Sequence, residues 1–239
     1  MRISAVGVVV PARDEQRRIR RCVRALLVAL RALPPWLDGS VCVVADRCGD
    51  DTAGLAGAVL GSGSVVVNHA DRTIGEVRDL GCRHVLTMLS RQEPAGVLLL
   101  CTDADSVVAP DWASQHVRMI DSGVHATAGT IELTGRPALP PVVAERYAAV
   151  VADAGGPEGH GNVYGANLAV RADAYLAVGG FGTVASGEDR ALWRRLGDGG
   201  YRRRYAVEPV VRTSARRHGR APGGLADLLR DLHDGAAAG

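Results

Sequence analysis

The chain contains no lysine, and all 28 of its basic residues are arginine. That absence excludes chemistry that needs an amine: Schiff bases, pyridoxal phosphate attachment, the phosphate-binding loop ending in GK[ST], and phosphatases with a catalytic lysine. Arginine cannot fill in by releasing a proton, because its pKa lies above about 12. Cysteine is scarce as well. The five residues Cys22, Cys42, Cys48, Cys82 and Cys101 form no CxxC pair, and their odd number and irregular spacing point to reduced thiols in a cytoplasmic protein. No apolar run approaches the roughly 18 residues of a membrane span. The opening run at residues 5–12 is short, holds Pro11 and leads into Arg13-Asp14-Glu15, which argues against a signal peptide. Charge excess is missing too: 28 basic against 26 acidic residues leave +2, so charge gives no case for a nucleic-acid or anionic-membrane partner.

What is present is an ordinary globular mixture, 47% hydrophobic and 23% charged over 239 residues. That length builds a core without staples. No repeat or linker divides it, so one domain is expected over residues 1–234, with 235–239 a disordered tail.

Residues 3–10 are a β-branched run suited to a strand buried on both faces, ended by Pro11. Asp14 is placed to cap the next helix, in which Ile19, Cys22, Val23, Leu26, Leu27 and Leu30 recur at steps of three and four. Strands are expected at 41–45, 65–67 and 97–101, and a helix at 75–89. Strand and helix in alternation mean a parallel sheet with helices on both faces, and such sheets bind ligands at the carboxyl ends of their strands. Asp14-Glu15, Asp46 and Asp103-Asp105 fall at those ends. The second half reads as a strand over 123–133, a break over 137–141, a helix over 142–152 and a Gly-rich mobile loop over 155–165. A strand over 166–171, a helix from 187 to 196 and an Arg-rich stretch follow.

Two carboxylates one residue apart, Asp103 and Asp105, suit a hard cation such as Mg²⁺ or Mn²⁺ beside a diphosphate. The same pair also suits a solvated acidic turn, or a phosphatase pair, which the missing lysine and the late strand disfavour. Asp189, Leu192, Trp193 and Leu196 share one helical stripe, so Asp189 is either an N-terminal cap or a general base at a cleft edge. Glu188, about 100° round the helix, is expected to be exposed.

Taken in order, these pieces resemble family 2 glycosyltransferases of the nucleotide-sugar (GT-A) fold, a mixed and mostly parallel sheet with helices on both faces. Val8-Val9-Val10-Pro11-Ala12-Arg13-Asp14-Glu15 is similar to the first strand and the loop that receives the nucleobase. Val43-Val44-Ala45-Asp46 is similar to the second strand with its base-contacting Asp. Gly75-Glu76-Val77-Arg78 resembles the helix start near the diphosphate, and Thr102-Asp103-Ala104-Asp105 the metal motif. Gly165-Ala166-Asn167, Gly179-Gly180-Phe181 and Gly187-Glu188-Asp189 resemble the acceptor and catalytic-base segment. The chain departs from the family at Asp79, commonly Asn, and at Asp46 to Asp50, commonly Asp-Gly-Ser-x-Asp; Arg72 or Arg78 stands in for lysines near the diphosphate.

The resemblance implies a metal-dependent inverting transfer from a nucleoside-diphosphate sugar, a UDP-sugar foremost, to an acceptor hydroxyl. Pro11, Ala12, Arg13, Glu15, Asp46, Gly75, Arg78, Asp103 and Ala104 would contact the donor. Asp105 and Asp103, with His218 as a late-chain addition, would hold Mn²⁺ or Mg²⁺, and Asp189 with Glu188 would form the catalytic-base segment. Rival readings are a nucleotidyltransferase on a related fold and a catalytically silent nucleotide-sugar-binding protein. The expected partners are donor and hydroxyl acceptor, with no nucleic acid and no membrane span; a homo-oligomer is compatible with the reading. Arg216, Arg217 and Arg220 would either close over a phosphate or form a solvated basic face. His160 would touch an acceptor or sit on a loop, and Trp112, Trp193 and the cysteines would fill core.

Overall fold

The computed structural model of the protein describes residues 2–135, 139–219 and 223–237, with side chains through residue 235. Arg220, Pro137 and residues 238–239 lie outside the described residues. The first strands are β1 (Ala5–Ala12), β2 (Asp38–Asp46), β3 (Val65–Asn68) and β4 (Val97–Cys101), all parallel. They continue into β5 (Val107–Val108), β6 (Ala126–Thr134), β7 (Leu168–Arg171) and β8 (Arg203–Ser214). One sheet results, in the order β3-β2-β1-β4-β7-β6-β8-β5. β7 runs antiparallel to β4 and β6, while β8 is parallel to β6 and antiparallel to β5.

β1 sits at the centre of the parallel half because every one of its residues is buried. Its side chains alternate between two cores, as a period of two requires. Val6, Val8 and Val10 pack with α1 (Ile19–Arg31) and α4 (Trp112–Asp121) on one face. Ala5 and Val9 pack on the other face with α3 (Ile74–Met88), α6 (Ala172–Ala177) and α7 (Glu188–Asp198). α2 (Thr52–Leu60) lies beside β2, and α5 (Pro141–Asp153) packs on α8 (Leu225–Ala237). Full burial of each such aliphatic side chain contributes about 1.5–3 kcal/mol. Among the described residues no helix is long and apolar enough to cross a membrane.

Two glycines bring α3 onto the sheet. A Cβ at Gly81 would overlap Val9 and Val44, and one at Gly7 would overlap Val85. The helix therefore lies hard against β1, with Arg78 one turn before the contact. Its start is fixed by a capping box: Thr73 Oγ1 accepts from Glu76 N–H, and Glu76 reaches back to Thr73 N–H at 2.8 Å.

Several expectations are corrected. β1 extends to Ala12 and includes Pro11 instead of stopping before it. Val9 C=O accepts from Thr102 N–H on the β4 side, and β4 ends opposite Val9. Pro11 faces that same side one step on, where no ladder bond is lost. Asp14 does not cap α1. Its backbone is left-handed (φ 52°) and its carboxylate accepts from Gly49 N–H at 2.8 Å. α2, α4, α6, α8 and β5 were not foreseen. α8 carries residues 235–237 in helix, within the stretch expected to be a tail.

The buried polar groups of α4 are paired. His116 Nδ1 meets Thr127 Oγ1 at 2.7 Å and Nε2 meets Asn167 Oδ1 at 3.1 Å, while Trp112 Nε1 donates to the same oxygen at 2.9 Å. Burial pulls the His116 pKa down from 6.5 to about 4. Its lowered folded value stabilises the fold above pH 6.5, and that contribution drains away as the pH falls toward 4. In NMR titration the His116 ring is expected to stay neutral down to about pH 4; a midpoint near 6.5 contradicts the network.

Candidate active site

The carboxyl ends of β1, β2 and β4 open into a cleft of about 750 Å³. From β1 and the loop after it come Pro11, Ala12, Arg13 and Glu15; from β2, Asp46; from the turn after β4, Asp103, Ala104 and Asp105. α3 supplies Arg78 and α7 supplies Glu188 and Asp189. Sequence positions from 11 to 189 thus converge on one space, as the strand-end rule for open α/β sheets requires.

Asp46 is held at the end of β2 by its register partner Asn68, whose Nδ2 donates to Asp46 Oδ1 at 2.7 Å. Arg72 Nε in turn donates to Asn68 Oδ1 at 3.2 Å. Asn68 closes a four-residue strand at the sheet edge and escaped the sequence analysis; its place opposite Asp46 was the available signal. The loop after β1 is pinned to α2, since Glu15 N–H donates to Thr52 Oγ1 at 2.8 Å. The Glu15 side chain is buried between Arg18, at 3.3 Å, and Arg216.

Past β4 the chain turns, with Ser106 N–H donating to Asp103 C=O at 3.0 Å. The turn sends the two carboxylates to different partners. Asp103 Oδ1 accepts from Arg78 Nη2 at 2.7 Å, with 36% of its side chain still exposed. Asp105 is more enclosed and pairs with Arg216 Nε at 3.2 Å. Burial lifts its pKa to about 6, opposed by Arg216 and reinforced by Asp103 and Glu15. The Cys22 thiol, whose Sγ lies 3.4 Å from the Asp103 carbonyl oxygen, is pushed up by burial and by Asp103, Asp105 and Glu15. These carboxylates offer only hard oxygen ligands, the donor chemistry that suits Mg²⁺ or Mn²⁺.

Arg78 is itself buried and is shared three ways. Besides Asp103, its Nε donates to Glu188 Oε1 at 3.1 Å and its Nη1 to Gly165 C=O at 3.1 Å. The expectation that Glu188 is exposed is therefore corrected: it is 6% exposed. Helical angle alone misses that the first turn of α7 lies against α3. A Cβ at Gly75 would overlap the Gly182 carbonyl and press on Glu188 Cβ, so glycine there permits the contact.

Asp189 sits beyond Gly187, whose φ of 72° opens α7 in the left-handed region. Its Oδ2 accepts from Gly165 N–H at 2.8 Å and its Oδ1 from Arg190 N–H at 2.7 Å. Burial and the neighbouring Glu188 raise its pKa, while the two amides and Arg78 hold it down. A carboxylate with four lone-pair sites keeps acceptor capacity for a third partner.

Other expected residues fall elsewhere. Gly75 lies under the cleft at the α3–α7 contact instead of on its wall. His218 lines a neighbouring cavity that shares Asp105 with the cleft. His160 is packed on Tyr205 and bonds the Ala128 and Ala206 carbonyls at 3.1 and 3.2 Å. Trp112, Trp193 and four cysteines are core; Cys48 is half-buried. Among the described residues the group with metal-ligand spacing is Asp14, Cys48 and Asp50, beside the loop after β1, and it does not include Asp103, Asp105 or His218. The part of the cleft wall formed by Tyr147, Asn162 and Tyr164 was also missed.

A family model described as glycosyltransferase like family 2 matches residues 4–226. No curated protein matches the chain in sequence. Among solved structures the chain is similar to Staphylococcus aureus TarS 1-349 in complex with UDP-GlcNAc, at 14% identity and a TM-score of 0.62. The alignment covers 97% of this chain and 65% of that one, so the chain spans just under two thirds of this relative. It is also similar to the mannosyltransferase PcManGT from Pyrobaculum calidifontis in complex with GDP-Man and Mn²⁺, at 16% identity and a TM-score of 0.64, covering 100% and 76%. A mycobacterial protein aligns at 17% identity and a TM-score of 0.55, covering 96% and 72%.

Replacing Arg78 tests the geometry. Arg78→Met leaves Glu188 buried without its counter-charge, and loss of one partner of such a pair costs about 3–5 kcal/mol. Urea unfolding is expected to show a loss of that size; a loss below about 1 kcal/mol, the range of an exposed pair, contradicts the bridge.

Proposed function

We propose that this chain, which belongs to glycosyltransferase family 2 by the match of that family's model to residues 4–226, moves a sugar from a UDP-sugar to an acceptor hydroxyl with inversion at the anomeric carbon and a divalent cation on the diphosphate. Support comes from one observation: Asp46, Asp103, Asp105 and Asp189 open into a single cleft at the strand ends of a GT-A sheet.

The nucleobase end favours uracil. Asp46 Oδ1 takes Asn68 Nδ2 and lies 3.4 Å from Arg47 Nε, so Oδ2 is the open oxygen for a ring N–H. Uracil offers a single N–H between two carbonyls, whereas guanine presents two donors side by side. Arg13 and Arg47 line the same end and can donate to the flanking carbonyls. Arg72 supplies positive charge near the diphosphate in a chain without lysine, while Arg78 is taken up by Asp103 and Glu188.

Asp105, with Asp103 beside it, would hold Mn²⁺ or Mg²⁺. When bound, the cation neutralises charge on the departing nucleoside diphosphate. Asp189 takes the proton from the acceptor hydroxyl, and its raised pKa makes it a stronger base than a solvated carboxylate. The hydroxyl then attacks the anomeric carbon from the face opposite the diphosphate, which inverts it. Glu188, committed to Arg78, positions the segment and does not take the proton. Five free cysteines, four of them buried, suit the reducing setting of a cytoplasm.

Isothermal titration tests the donor half: UDP is expected to bind more tightly with Mn²⁺ than without, and Asp105→Ala to erase that difference. Metal-dependent affinity that survives the substitution refutes the metal role. For the base, Asp189→Asn is expected to retain UDP–Mn²⁺ binding while turnover falls at least about 10². Full turnover in that variant removes Asp189 from the mechanism.

A further inference from the structure

We propose that a second cavity, beside the donor cleft, anchors a phosphate ester carried by the acceptor; the acceptor role rests on the glycosyltransferase reading above. The cavity measures about 570 Å³. Five arginines line it from two distant stretches: Arg17, Arg18 and Arg21 around the start of α1, and Arg216 and Arg217 after β8. His218 and His233 complete the polar wall, and Asp105 is the one carboxylate among the described lining residues.

The positive charge is only partly spent. Arg18 bonds Glu15, and Arg216 is divided between Glu15 and Asp105. Among the described residues Arg17, Arg21 and Arg217 make no ion pair and no side-chain hydrogen bond. Their convergence works against the fold. The N-cap of α1 makes no side-chain cap bond and its first turn holds no acid, so guanidinium groups crowd the positive end of the helix dipole. A local rule broken in this way marks a functional position, and an anion in the cavity reverses the sign of the interaction.

The chemistry of the wall selects the anion. Guanidinium forks match the oxygens of phosphate, which carries about −1.5 to −2 charges as a monoester at neutral pH. A carboxylate brings one charge and two oxygens, too little for three unspent arginines. Leu139, Pro140 and Val143 form an apolar side to the same cavity, and its volume exceeds that of a free phosphate ion. Both features fit a phosphate with a carbon skeleton attached. The cations converge on a cavity instead of spreading over a plane, which disfavours a membrane surface. Asp105, Ser214 and Arg216 line both this cavity and the cleft, so an ester held here lies across Asp105 from the donor, with its hydroxyls toward the cleft.

Glycerol 3-phosphate, titrated calorimetrically into protein saturated with UDP and Mn²⁺, tests the proposal. It is expected to bind alongside UDP, where glycerol does not. The double variant Arg17→Gln/Arg21→Gln, two exposed positions outside the donor cleft, is expected to bind it at least about tenfold more weakly with UDP–Mn²⁺ affinity unchanged. No binding to protein that takes up UDP normally, displacement by UDP, or equal affinity in the double variant each overturns the subsite. Capture by phosphatidylglycerol vesicles without glycerol 3-phosphate binding overturns it in favour of a membrane surface. Glycerol 3-phosphate binding to a protein that takes up no UDP overturns the donor reading, and the acceptor role with it.

Discussion

Arg78 holds together three parts of the chain at the site. It joins the turn after β4 through Asp103, the start of α7 through Glu188 and the segment at Gly165 through a backbone carbonyl. Asp189 is fixed by the same assembly, because Gly165 donates to it from the other side of that segment. A rigid planar fork with five donors serves these three acceptors at once, and a compact ammonium with three donors does not reproduce that geometry. The burial of Arg78 depends in turn on Gly75 and Gly81, which let α3 lie flat on β1 and against α7.

That arrangement sorts the acidic groups electrostatically. Asp103 and Glu188 share one buried guanidinium, whereas Asp105 and Asp189 are left with pKa values raised by burial. Keeping two such carboxylates ionised near neutral pH works against stability. The favourable terms lie elsewhere, in two apolar cores on either face of a sheet whose central strand is wholly buried. A scaffold of that kind tolerates a strained site without losing the fold.

Much of this was legible in the residues. Runs such as Val8-Val9-Val10 and Leu98-Leu99-Leu100 identify strands buried on both faces, and acids just past them identify the cleft. α2 escaped because Gly54 and Gly57 depress its propensity and its apolar residues form no stripe. Glu188 was misjudged because helical angle gives direction on one helix and says nothing about what a second helix brings to that face. Asp14 reads as a cap, yet its carboxylate is taken by Gly49 across the loop, a contact thirty-five residues away in sequence. The arginines at 216 and 217 read either as closing over a phosphate or as a solvated basic face; the fold brings Arg216 to Glu15 and Asp105 and sets both beside the start of α1.

The most direct test of the account is the position of Mn²⁺ in crystals grown with UDP, located by anomalous scattering. The account predicts a peak in contact with the Asp105 carboxylate, between the UDP diphosphate and the side of the cleft formed by Arg78 and Asp103. A peak at Asp14, Cys48 and Asp50, with none at Asp105, contradicts it.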